Sequence, residues 1–285
     1  MIKKILFIIY KFFYLFDKFL IKLINKSFLL IFKEFIEDDL YTSKKILNKR
    51  IKFFIPTLIT KWRVDSFFIK EPETLQWIDS FINKKKIVFW DIGANIGLYS
   101  IYAALKHRDI KIYAIEPSTS NLRVLSRNIS INDFEKKILI TQLALSEKRT
   151  SHNLMTESTF IEGGALNAFS ESTNFEGKKI IKENKYQILG TNTDMLTKTF
   201  GIEMPNYIKI DVDGLEHLIL KGSKQILKSK LKSILVEINE NYTEQYKSVL
   251  KVMRLNNFKL IAKEQSPLIN HNKAFKNSYN YIFSK

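Results

Sequence analysis

The sequence predicts an α/β fold: a mostly parallel, seven-stranded sheet with helices on both faces, preceded by an amphipathic helical extension. Three observations predict it. From residue 86 onward, short runs of Ile, Val, Phe and Trp alternate with stretches of helical period, the pattern of βαβ units. The first run feeds a glycine-bearing loop, Asp91-Ile-Gly-Ala-Asn-Ile-Gly97, that opens a helix. Acidic residues also stand at or near the ends of the strands, at Asp91, Glu116, Asp211 and Glu237.

Composition sets the bounds. The 285 residues are 45% apolar and 26% charged, enough for a full core and too apolar for a disordered chain. Cysteine is absent, which excludes a disulfide framework, a thiolate zinc site and a cysteine nucleophile. That absence mildly favours an intracellular setting. Lys and Arg number 46 against 29 Asp and Glu, a net charge of +17 that suits an anionic lipid or nucleic-acid partner. A coding bias that inflates Lys, Ile, Asn and Phe together accounts for the charge equally well.

Taken in order, residues 1–36 read as one amphipathic helix. Lys4, Lys11, Lys18, Lys22, Lys26 and Lys33 recur at steps of seven or four, opposite a broad face of Ile, Leu, Phe and Tyr. Such a helix lies in a membrane interface, its lysines reaching toward anionic headgroups on the cytoplasmic side. Packing on protein is the competing reading. A spanning helix would carry Lys11, Asp17, Lys18 and Lys22 in hydrocarbon, and a cleaved signal peptide lacks its cleavage site. Residues 37–85 read as a helical bridge in which Pro72 starts a helix, Glu71 and Glu73 suit its N-terminal dipole, and Trp77, Ile78 and Phe81 dock it.

Residues 86–285 form the main domain. Strands are expected at 87–90, 110–115, 138–143, 207–210, 233–238, 258–262 and 279–283. Helices are expected from the glycine loop to about 105, from Ser118 or Ser120 to 131, and over 191–200, 215–227 and 244–256. The polar stretch 146–190 is a loop excursion with room for a hairpin. Ligands of such sheets bind beyond the carboxyl ends of the strands, where the strand order reverses.

The loop after the first strand is of nucleotide-binding type. Gly93 permits a tight turn and close ligand approach, and Gly97 lets the helix pack on the strand. It differs from the dinucleotide pattern, because Ala94 and Asn95 follow Gly93. Asp91 would repel a pyrophosphate and suits a cationic or zwitterionic ligand. Glu116, 25 positions on, matches an acidic ribose hook. Together these point to S-adenosylmethionine, with its ammonium and sulfonium charges.

The chain resembles the FkbM family of S-adenosylmethionine-dependent methyltransferases. The resemblance rests on D-I-G-A-N-I-G-L-Y-S from Asp91, I-E-P-S ending at Ser118 with Asn121, Asn128 and Asn132 downstream, and I-K-I-D-V-D-G-L-E-H-L-I-L-K-G from Ile208 to Gly222. It covers about residues 61–285 and departs at Asp213, where many members carry Glu. It implies a class I Rossmann-like fold and O-methylation of a sugar or another hydroxylated product. It further implies that Asp91, Gly93, Asn95 and Gly97 surround the methionine part of the cofactor, that Glu116 takes the ribose and that Ala144 and Leu145 border the adenine.

Asp211, at the end of the fourth strand, is the first candidate for base or substrate anchor. A Lys209–Asp213 pair ordering the loop is the structural alternative. Glu237 could anchor an acceptor hydroxyl, His152 lies in the excursion, and His217 reads as a helix-face histidine. Asn128 and Asn132 read equally as caps of a helix end. No His spacing or tight carboxylate cluster asks for a metal. The expected acceptor is a sugar or lipid-linked glycan, in a protein held peripherally on the inner membrane face. Nucleic-acid methylation, disfavoured because an N-P-P-Y type motif is missing, a nicotinamide-dependent oxidoreductase and a non-catalytic membrane-surface binder are the alternatives. A homo-oligomer is left open.

Overall fold

The computed structural model describes residues 2–82, 85–170, 178, 184–268 and 275–285. The N-terminal region is a helical hairpin rather than one helix: α1 (Ile2–Ile24) and α2 (Phe28–Asp39). Asn25 turns the chain with φ 53°, and Ser27 caps α2 by accepting from Leu30 N at 3.2 Å. Asp17 is the sole acid of α1, and it folds back onto this cap. It accepts from Ser27 Oγ at 2.9 Å and Leu29 N at 3.2 Å. The lysine ridge is therefore interrupted, with Lys26 in the turn and Lys33 on the second helix. Apolar side chains of both helices stay exposed, Ile8 by 68% and Phe12 by 69%.

The bridge is not wholly helical. It begins with a β-hairpin, β1 (Tyr41–Ile46) and β2 (Lys49–Phe54), before α3 (Leu58–Asp65), α4 (Phe67–Lys70) and α5 (Pro72–Asp79). Leu47 and Asn48 both take positive φ, the tight hairpin turn whose twist matches the strands. Ile46, Ile51, Phe53 and Phe54 are buried in the same core as the docked Trp77, Ile78 and Phe81. Residues 40–82 are thus built into the main fold. Asn128 and Asn132 make the join: Asn128 Oδ1 accepts from Phe54 N at 2.8 Å, and Asn132 bonds both backbone groups of Lys52. Cross-linking, with only one bond from Asn132 back to Asn128 O, replaces the expected capping.

The main sheet starts with β3 (Ile87–Ile92), α6 (Leu98–Lys106), β4 (Ile110–Ile115), α7 (Thr119–Ser130) and β5 (Ile138–Thr141). The excursion follows as β6 (Ala144–Leu145), β7 (Ser151–Glu157), β8 (Ala168–Phe169) and β9 (Asn184–Thr191), a second sheet in the order β6-β9-β7-β8. The chain returns through α8 (Thr193–Phe200), β10 (Tyr207–Ile210), α9 (Glu216–Lys221), α10 (Lys224–Lys228) and β11 (Ser233–Asn239). It ends with α11 (Thr243–Leu255), β12 (Lys259–Glu264) and β13 (Ser278–Ser284). The expected helix over 215–227 breaks at Gly222, where a Cβ would meet Ser146 O at 2.6 Å.

Seven strands lie in the order β12-β13-β11-β10-β3-β4-β5, and only β13 runs against the rest. Side chains of β3 alternate between two cores: Ile87 and Phe89 in one, Val88, Trp90 and Ile92 in the other. Burial on both faces explains its unbroken apolar run. The chain proceeds from β3 to β4 and β5 on one side, then returns to place β10 and β11 on the other. The order therefore reverses between β3 and β10.

Candidate active site

A cavity of about 490 Å³ opens at this reversal, beyond the carboxyl ends of β3, β4, β10 and β11. The loop after β3 is shaped by its neighbour. Gly93 has φ +82°, and a Cβ there would lie 1.8 Å from the carbonyl oxygen of Asp211 at the end of β10. Glycine is required because two strand ends press together. Gly97, with φ +86°, starts α6, and its Cβ would lie 2.5 Å from Leu125 on α7. The helix it accommodates is α7, a correction to the strand contact expected from the sequence.

One half of the cavity surrounds Glu116. Its Oε2 accepts from Asn95 N at 2.8 Å and its Oε1 from Ser118 N at 2.9 Å. Burial disfavours its charge, these bonds offset part of that, and the carboxyl is pushed up to about 7. Ser118 serves as the N-cap of α7, as expected. Asn95 Nδ2 donates to Gly164 O at 2.8 Å, while its buried Oδ1 has no partner among the described residues. Asn121 binds the same turn, accepting from Gly163 N at 2.9 Å and donating to Gly164 O at 3.2 Å. Leu143, Ala144, Leu145, Met155 and Phe169 give this half an apolar wall.

The other half is a charged network. Lys209 is 1% exposed on its side chain and pairs with Asp211 at 2.8 Å; the expected pair with Asp213 is not formed. Asp213 instead accepts from Leu166 N at 2.6 Å, and burial followed by the Asp211 charge pushes it up to about 6. Burial disfavours the Asp211 charge, but Lys209 and Lys70 outweigh it and hold the carboxyl well below the usual carboxylate range. Glu237 moves the other way: burial, then the charges of Asp211 and Glu71, push it well above its ordinary value. Lys70 pairs with Glu71, which also accepts from Tyr99 Oη at 2.7 Å. Glu216, buried on α9, accepts from Val212 N at 2.9 Å and Gly214 N at 3.1 Å, and so fixes the turn that carries Asp211.

Gly93, Asn95, Glu116, Ala144, Leu145, Asp211 and Glu237 all line this one cavity. Asp91 does not. It is 0% exposed, accepts from Ser100 Oγ at 2.6 Å, and lies beside Lys209 in the strand register. Gly97 is likewise outside the wall, and His152 is exposed on β7 opposite Leu189, away from the cavity. His217 is buried against Tyr242, and burial lowers its pKa. Trp62, Arg63, Lys70 and Glu71 enter the wall from the bridge, unannounced by any motif. Glu71, at the N-terminus of α5 as the dipole reading expects, also lines the cavity and pairs with Lys70.

The seven-stranded sheet with one reversed strand, and the ligand cavity at its switch point, define a Rossmann-like methyltransferase fold. The family model described as the methyltransferase FkbM domain matches residues 91–260, more than half of the chain, and the chain belongs to that family. It is similar to methyltransferase sdnD of Sordaria araneosa, 30% identical over 166 residues, 52% of this chain and 64% of that protein. It is also similar to hexuronic acid methyltransferase AglP of Haloferax volcanii, 26% identical over 152 residues, 53% of this chain and 56% of that protein. The chain thus spans less than two thirds of the length of these curated relatives. The crystal structure of methyltransferase FkbM from Methylobacillus flagellatus KT aligns with a TM-score of 0.49 at 14% identity, covering 80% of this chain and 52% of that one.

Proposed function

We propose that the protein is an S-adenosylmethionine-dependent O-methyltransferase acting on a sugar hydroxyl, held on the inner face of a membrane by its N-terminal hairpin. One observation carries the reading: Glu116 and Asp211 open into a single cavity on either side of the Gly93 loop. The residues present fit the cofactor. The partnerless Asn95 Oδ1 is an acceptor that a ligand ammonium or hydroxyl satisfies, and Glu116 offers a carboxylate to ribose hydroxyls. The wall of Leu143, Ala144, Leu145 and Met155 suits an adenine. Bound there, S-adenosylmethionine supplies an electrophilic methyl group on a sulfonium.

Asp211 is the residue assigned to the acceptor hydroxyl. A carboxylate held so acidic is a weak base, but a hydroxyl oxygen that is forming a bond to carbon becomes cationic and surrenders its proton readily. Asp211 therefore orients the hydroxyl by accepting its hydrogen bond, then takes the proton as the bond forms. Glu237, whose carboxyl is pushed well above its ordinary value by burial and then by the charges of Asp211 and Glu71, is hydrogen-bonded to Asp211 and holds it in place. The relative named as a hexuronic acid methyltransferase supports a sugar as acceptor. A cavity rather than an open basic groove favours a sugar unit over a nucleic-acid strand.

The hairpin supports the membrane reading. Its one inward acid is consumed by a helix cap, leaving lysines and exposed Ile, Leu and Phe on α1. Among the described residues no helix is long and apolar enough to cross a membrane. Each lysine near an anionic surface contributes about 1 kcal/mol, and burial of the apolar side chains adds a salt-insensitive part.

Calorimetric titration tests the cofactor: S-adenosylmethionine should bind, and NAD should not. Transfer of a labelled methyl group to sugars then tests the reaction, and absence of cofactor binding ends the proposal. Flotation of the full chain with vesicles containing anionic lipid should weaken, but persist, as salt rises. No flotation at low salt would remove the membrane part.

A further inference from the structure

The acids of the cavity wall outnumber its cations, yet one of those cations has no ion-pair partner among the described residues. Lys70 is paired with Glu71, and Lys209 behind the wall is paired with Asp211. Burial pushes the Glu237 carboxyl well above its ordinary value, Glu116 belongs to the half assigned to the cofactor, and Asp213, also in the wall, accepts from Leu166 N. Arg63, half-buried near the end of α3, lines the cavity and forms no ion pair with any described acid. Its Nε donates to Gly163 O at 2.7 Å, which fixes the plane of the guanidinium, and its two terminal amino groups have no partner among the described residues. Its charge is felt at Lys70 and at Asp213, which places it beside the acceptor half. Trp62, the preceding residue, also lines the cavity with 48% of its surface exposed.

We propose that Arg63 and Trp62 form a subsite for an acceptor sugar that carries an anionic group, a carboxylate or a phosphate. An anchored guanidinium offers parallel N–H donors that match the two oxygens of either group. An exposed indole beside it offers a flat apolar platform for the C–H face of a pyranose. Arg63 binds the charge, Trp62 the ring, and Asp211 the hydroxyl that is methylated. The inference rests on the sugar-methylation reading and narrows it to acidic sugars.

The test uses the full chain with S-adenosylhomocysteine present and three probes, D-glucuronate, D-glucose 6-phosphate and D-glucose, titrated by ligand-observed NMR. At least one anionic sugar should bind about ten- to a hundredfold more tightly than glucose, as charge-assisted bonds imply. Whichever anion is preferred identifies carboxylate or phosphate as the group bound. Arg63→Ala should bring the preferred anion down to the level of glucose, Arg63→Lys should keep part of the preference, and neither should alter affinity for S-adenosylhomocysteine. Trp62→Ala should weaken all three sugars.

Two results would overturn the subsite. One is the absence of any preference for an anionic sugar, including failure of all three to bind. The other is an equal loss for all three probes in Arg63→Ala, which would make Arg63 only a latch for the Glu162–Gly164 turn. Either result leaves cofactor binding standing; where glucose still binds, methyl transfer to neutral sugars stands as well, whereas failure of all three to bind counts against the sugar reading too.

Discussion

The two halves of the cavity are built by different means. Around Glu116 the wall is made by Gly93, Asn95 and Glu116 at strand ends and by apolar residues between Leu143 and Phe169, all inside the family match. Around Asp211 the wall borrows Trp62, Arg63, Lys70 and Glu71 from a segment that precedes the match. That segment is held by the β1–β2 hairpin, docked α5, Asn128 of α7 and Asn132 just beyond it. The half that would hold a cofactor lies within the family match, whereas the half that would choose an acceptor also depends on a segment packed from outside it.

The largest expected separation of the halves comes from Asp211→Asn. Turnover should fall by about 10²–10⁴-fold while affinity for S-adenosylmethionine stays within a fewfold. Lys209 loses its partner but keeps the Asp91 charge beside it, so the variant should melt below wild type and still fold. Unchanged turnover would move the acceptor hydroxyl to Glu237.

Glu116→Gln probes the other half. Loss of a charge-assisted ribose contact should weaken S-adenosylmethionine about ten- to a hundredfold. The wild-type affinity should also rise with pH, by about tenfold per unit below 7, because the proton on Glu116 must leave before it accepts from the ribose. The Gln variant should lose that dependence. Stability of the empty protein runs the other way. A carboxyl raised from 4.5 to about 7 binds protons in the folded state that the unfolded chain has released. Its contribution therefore declines as pH rises from 4.5 to 7, by up to about 3 kcal/mol relative to Glu116→Gln. Melting temperatures of both proteins across that window check the sign.

Asn128→Ala tests the join between the halves. It strands the buried Phe54 N–H and Ile96 C=O, and should cost about 2 kcal/mol in denaturant unfolding. The smallest effect is expected at Arg123, which reaches Glu37 at the end of the N-terminal hairpin and Glu162 in the turn over the cavity. These exposed pairs should contribute no more than about 1 kcal/mol, so Arg123→Ala should leave cofactor affinity and melting temperature nearly unchanged.

The strand and helix alternation, Gly93, and the presence of Glu116 and Asp211 in one cleft were legible because each is a local signal in a fixed register. Sequence reading went astray where a partner lay far away. Asp91 reads as a ligand because it ends the first run; the structure sets it behind the cavity wall, beside Lys209 in the register of β3 with β10, with one carboxylate oxygen left without a partner among the described residues. His152 looked available for recognition, but the pairing of β7 with β9 leaves it on an exposed surface. The β1–β2 hairpin was missed because Leu47-Asn48 lacks the glycine that marks such turns. The break after α1 did have a signal, Asn25-Lys26-Ser27, overshadowed by the lysine period that continues across it. Arg63 and Glu71 had none, since only the docking of α3–α5 brings them to the cavity.

The central claim is that one cavity at the β3–β10 switch point holds the cofactor by Glu116 and faces Asp211 across the Gly93 loop. A crystal structure of the full chain with S-adenosylhomocysteine tests it most directly. The account predicts the ribose hydroxyls on Glu116, the adenine against Ala144 and Leu145, and the sulfur directed toward Asp211. A ligand bound elsewhere, or in this cavity with its sulfur turned away from Asp211, would contradict it.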